Sequence, residues 1–152
     1  MKRPATLWIL VFWLLFLALG GLYGGIAMLL DPSGGSLQMT EVLLLLPVPN
    51  YVLPGLFLLG IMGMFPLFLV YGLLVRPNWL WTEFILSRTQ YHWAWIGTVS
   101  LSIVLAIWLI VQGLLIGFQW PIQYVTAING LLILLFAFLP SIRKFYRDSS
   151  LV

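Results

Sequence analysis

The 152-residue chain contains no cysteine and a single histidine, His92. The first absence excludes disulfides, thiolate metal sites and cysteine redox chemistry, and leaves the redox state of the compartment unread. A lone histidine excludes a multi-histidine site within one chain, so neither a metal nor any other cofactor is expected. Charge is scarce as well. Asp, Glu, Lys and Arg make up 7% of the residues, against roughly 25% in a soluble domain. So few charges cannot cover a water-facing surface, and with 62% hydrophobic and 16% aromatic residues the expected solvent is a lipid bilayer.

What is present is ordered along the chain as one domain, residues 1–152. Four apolar stretches run from about Leu7 to Leu30, Tyr51 to Val75, Trp93 to Gly117 and Pro121 to Leu139, and none holds a charged residue. A spanning helix needs about 20 such residues. The stretches lack the alternation of barrel strands, so helices must satisfy the backbone in lipid. The fold class expected is all-α: a four-helix transmembrane bundle with an outer interfacial or re-entrant segment.

The net charge of +3 invites a nucleic-acid reading, but all seven basic residues lie outside the apolar stretches and show no groove-reading spacing. They fall instead on one side. Lys2, Arg3, Arg76, Arg88, Arg143, Lys144 and Arg147, with Glu83 and Asp148, give that side +5; Asp31 and Glu41 give the other −2. The positive-inside bias predicts a multi-pass protein of the cell membrane with both termini cytoplasmic. Trp79, Trp81, Trp93 and Trp95 fit a cytoplasmic aromatic belt, and Tyr51, Trp120 and Tyr124 an outer one, leaving Trp108 within a span. Lys2-Arg3 followed by an apolar run and Ala18-Leu19-Gly20 loosely resembles a signal peptide. The run continues to Leu30, however, which favours an uncleaved span.

The connections carry more detail. Asp31-Pro32-Ser33-Gly34 reads as a β-turn ending the first span, after which Ser36 is expected to cap a short helix through Leu46. Val42 to Leu46 is too short to span and too apolar for water, so it belongs in the interface or between helix ends. The inner connection, 78–91, reads as an interfacial helix with Glu83, Ser87 and Gln90 on one face and Trp81, Phe84 and Ile85 elsewhere. It is either a docking surface or a helix resting on the membrane, and the pattern favours the latter.

Within the spans, Gly20, Gly21, Gly24 and Gly25 form overlapping GxxxG patterns, which let helix backbones approach closely. The contact is with another span of the chain or with a partner, and a multi-span bundle favours the first. Gly60 and Gly63 invite the same reading, and Pro66 predicts a kink. Thr98, Ser102, Leu105, Leu109 and Gln112 share a face of the third span; Gln123, Thr126 and Asn129 cluster in the fourth beside Gly130. Amides in hydrocarbon need partners, so these faces should turn inward and meet, with Gln112 reaching Gln119 or Gln123 and Asn129 facing the third or first span. They form either a ligand cavity or interhelical hydrogen bonds, and the second is favoured. Asp31 and Glu41 are the outer-loop candidates, as a carboxylate pair or as a turn residue and a solvated side chain. His92 is expected to be an interfacial aromatic bonded to a headgroup or backbone carbonyl.

Asp31-Pro32-Ser33-Gly34, Asn50-Tyr51 with Pro54-Gly55, Trp108 to Gln112 with Ile116-Gly117, and Pro121-Ile122-Gln123 occur in an order that resembles a group of small bacterial four-span membrane proteins. The likeness covers most of the chain through short motifs, and Trp120 stands where the family pattern has a glutamine. It implies the four-span fold and carries no activity with it. Sterol-isomerase-like and emopamil-binding-like bundles are a further analogy, but they place acidic residues and histidine inside the bundle, which this chain does not. General acid–base candidates at membrane depth are missing, which weighs against an enzyme. The functional reading is a small non-enzymatic integral membrane protein, an accessory or interaction subunit with a membrane-protein partner or a homo-oligomer. The alternative is binding or transport of a neutral lipid or hydrophobic small molecule between Gln112 and Asn129.

Overall fold

A computed structural model describes residues 3–77 and 79–148, without the side chains of Leu80, Trp81, Ile85, Leu86, Ser87 and Asp148. Lys2 therefore lies outside the described residues, as do the side chains of Trp81, Ile85 and Ser87 and the charge of Asp148. The described chain is all-helical: α1 (Ala5–Leu30), α2 (Thr40–Leu43), α3 (Val52–Phe57), a π-helical segment (Leu58–Met64), α4 (Phe65–Val75), α5 (Leu80–Thr89), α6 (Trp93–Ile116), α7 (Pro121–Phe138) and α8 (Pro140–Asp148). Helix α3, the π segment and α4 join into one span, Val52–Val75, so four helices are long and apolar enough to cross a membrane.

The four spans close into a ring in chain order. Helix α1 packs on the second span, the second span on α6, α6 on α7, and α7 back on α1. The sequence predicts a kink at Pro66; the chain there has a π-helical turn directly before it, with the Phe65 N–H donating to Gly60 O. A proline in a regular helix removes one hydrogen bond and crowds the carbonyl four residues back, and a wider turn relieves that crowding.

Two expectations about the ends are corrected. Ser36 does not cap a helix; it lies within the Asp31 turn, its N–H donating to Asp31 Oδ2 at 2.7 Å. Gln38 adopts a left-handed φ of 55°, and α2 starts only at Thr40. Nor are Trp93 and Trp95 lipid-facing members of a belt: they are buried inside the bundle. The indole N–H of Trp95 donates to Ala137 O at 2.8 Å and that of Trp93 to Pro77 O at 3.4 Å, so each polar edge finds a carbonyl within the protein. Tyr51 is likewise buried, whereas Trp120 and Tyr124 are exposed. The tail, read from sequence only for its charge, folds as α8 and buries Ile142, Phe145 and Tyr146 against the ends of the spans.

Candidate functional site

The glycine face of α1 lies against the π segment. A Cβ on Gly21 would strike the backbone of Met62, and one on Gly25 would come within 2.6 Å of Leu59 N. Gly24 faces the Leu58 side chain, and Gly63 answers from the second span, where a Cβ would come within 2.9 Å of the Leu22 side chain. Close approach is thus an internal contact at these positions. Gly20 and Gly60 are exposed, and a Cβ added to either would meet nothing within 4 Å.

The polar residues of the spans divide differently from their sequence pattern. Gln123 is buried but serves its own helix start: its Oε1 accepts from Trp120 N–H at 3.1 Å and its Nε2 donates to Gly117 O at 3.0 Å. Thr126 donates to Ile122 O at 2.7 Å, four residues back. Thr98 and Ser102 turn inward yet make the same backward bonds, to Ala94 O and Thr98 O. A nearby carbonyl costs less chain ordering than a partner on another helix, so the local bond wins. Gln112 is half-buried on α6.

Asn129 is the residue that crosses. It is buried at 2% exposure. With its amide oriented to suit both neighbours, Nδ2 donates to Trp13 O at 3.1 Å and Oδ1 accepts from Leu17 N–H at 3.3 Å. Those two groups are an i, i+4 pair of α1's own ladder, so the amide straddles a helical hydrogen bond. Asn129 also lines a groove of about 330 Å³ with Phe12, Trp13, Phe16, Val125 and Ile128. Gln112 does not line it. Sequence reasoning missed Phe12 and Phe16, although their spacing from Trp8 and on to Leu19 and Tyr23 by steps of four and three was visible.

At the end carrying the acidic residues, Asp31 holds the turn. Gly34 N–H donates to Asp31 O at 3.1 Å, and the Asp31 carboxylate accepts from Ser33 and Ser36. The Ser33 hydroxyl, then the Ser36 amide, keep its carboxyl below the ordinary range. Gly34 has φ 79°, and the Tyr51 ring occupies the space its Cβ would need. Tyr51 in turn donates its hydroxyl to Met39 O at 2.8 Å. Glu41 is exposed on α2. Among the described residues, no three His, Cys, Asp or Glu side chains gather as a metal site would require.

The opposite, basic end is laced by long side chains. Arg3 donates to Leu74 O at 2.8 Å, Tyr146 to Leu73 O at 2.6 Å, and Arg76 to Phe145 O at 3.2 Å while lying over the Phe145 ring. His92 is buried there, beside Tyr146, and not at a headgroup. Its Nδ1 accepts from Ala94 N–H at 3.3 Å, capping α6, which leaves the ring proton on Nε2 without a partner among the described residues. Burial, and secondarily the Arg76 cation, push the imidazole down to about 4. The apolar spacing of Ile142, Phe145 and Tyr146 was the legible signal for this packing.

No protein-family model, curated protein or solved structure matches the chain.

Proposed function

We propose that the chain is a non-enzymatic subunit of a larger assembly in the cell membrane, with both termini cytoplasmic, and that it meets its partner through the outer face of α1. One observation carries this reading. Trp8, Phe12, Phe16, Leu19 and Tyr23 follow one another by steps of four and three and are exposed by 43 to 73%, and Phe12 and Phe16 line the groove shared with α7. Aromatic ridges beside a groove offer a neighbouring helix the packing area on which association in lipid depends. The absence of Asp, Glu, Lys, Arg and His from the four spans supports a role without proton chemistry at membrane depth.

The test is photo-crosslinking in native membranes. A crosslinker at position 12 or 16 is expected to give one discrete heavier protein adduct, and one at position 107, on the exposed face of α6, is not. Lipid adducts alone at all three positions would sink the reading. A second reading, binding of a neutral lipid or hydrophobic small molecule, is supported by the same groove with the Asn129 amide in its wall. It differs in outcome: extracted protein would carry one lipid species, lost on Asn129→Leu.

A further inference from the structure

The basic end holds a second cavity, separate from the groove and independent of the function proposed above. It measures about 480 Å³ and is lined by Tyr91, Phe138, Pro140, Arg143, Lys144 and Arg147. Three side chains of this lining are cations and none is a carboxylate. They come from the exposed face of α8, whose other face is committed to the bundle through Ile142, Phe145 and Tyr146. The wall is firmly built: Tyr91 stacks on Trp95 at 4.3 Å, Trp95 meets the edge of Phe138 at 5.6 Å, and the Trp95 indole is tied to Ala137 O. The Tyr91 hydroxyl accepts from Arg143 Nε at 3.0 Å, which holds that guanidinium at the rim.

The depth of the cavity decides its ligand class. Phe138 is the last residue of the fourth span and is 45% exposed, so one wall belongs to the apolar layer, while α8 begins two residues later and carries the cations. A molecule matching both walls is an amphiphile with an anionic head. We propose that this cavity binds the phosphate of an anionic phospholipid between Arg143, Lys144 and Arg147, with an acyl chain lying along Phe138. Guanidinium and ammonium groups suit phosphate oxygens, and the low-dielectric side of the cavity strengthens the attraction over that at an open surface. A soluble phosphate would meet the same cations but make no use of Phe138 or Pro140.

The full-length chain, stripped of lipid in mild detergent, is offered equal phosphatidylglycerol and phosphatidylcholine of the same acyl chains, and retained lipid is read by native mass spectrometry. Phosphatidylglycerol is expected to be retained about tenfold over phosphatidylcholine. Arg143→Gln and Lys144→Gln should each lower that ratio about fivefold. Arg88→Gln, a cation on α5 outside the cavity, should leave it unchanged. A ratio near one in the unaltered chain overturns the proposal without reliance on any variant. An equal loss with Arg88→Gln overturns it too, because general charge would then suffice. If millimolar inorganic phosphate displaces the lipid, the site belongs to a soluble anion and the lipid assignment fails.

Discussion

At the acidic end of the bundle, helices meet chiefly through what their side chains leave out; at the basic end, they meet chiefly through what their side chains fill. Gly21 and Gly25 bring α1 onto the backbone of the π segment, and Gly34 yields its space to Tyr51. At the other end Trp93, Trp95, Phe145 and Tyr146 are all buried, and hydroxyl, indole or guanidinium groups reach carbonyls on neighbouring elements. The first kind of contact cannot accept added volume. The second cannot lose it, and because it buries an imidazole beside a cation it also responds to acid.

The largest effect should come from emptying the filled end. Tyr146→Ala removes a fully buried ring and the bond to Leu73 O, and is expected to lower stability by about 4 kcal/mol. Tyr146→Phe, which keeps the volume, should cost about 1 kcal/mol; unfolding in detergent followed by circular dichroism separates the two. The reverse operation tests the other end. Gly21→Val must push the π segment away and is expected to cost about 3 kcal/mol, whereas Gly20→Ala, with open space around it, should stay within about 0.5 kcal/mol. Equal losses at positions 20 and 21 would dissolve the contrast.

Acid sharpens it further. His92 has its imidazole depressed to about 4 from an ordinary 6.5, so between those values the unfolded chain binds a proton that the folded chain refuses. Its contribution is complete above pH 6.5 and is lost as pH falls toward 4. His92→Asn keeps a capping acceptor for Ala94 N–H but cannot titrate, and should flatten the stability profile across that window. A profile unchanged by the substitution would show that the imidazole is not the sensor. A modest effect is expected between the ends: Asn129→Leu should cost about 1 kcal/mol, since Trp13 O and Leu17 N–H belong to the same helical ladder and remain paired.

The spans were legible because hydrocarbon imposes length and apolarity on any helix that crosses it, and the sequence meets both demands four times. The α1 glycines were legible as a close contact, but their spacing named no neighbour; the π turn before Pro66 supplied it. The amides read poorly for a physical reason. Gln123 and Asn129 look alike in sequence, six residues apart, yet one lies within reach of a helix start and satisfies itself there, while the other, in mid-span, finds its partners only across the interface. Trp93 and Trp95 were expected to face lipid and instead turn into the bundle. Hydropathy fixes level, whereas direction is set by which carbonyls stand within reach.

The circular order of the spans bears on how the molecule is made. During synthesis the second span can settle on α1, and α6 on the second, as soon as each leaves the ribosome, because every neighbour is already in place. The seam between α7 and α1 must wait for the last span, and α8 follows it to latch Leu73 and Arg76. A nascent chain halted before residue 121 would therefore present the Trp13–Leu17 surface of α1 uncovered. Closure of the ring is the final act of assembly, and the last two helices of the chain perform it.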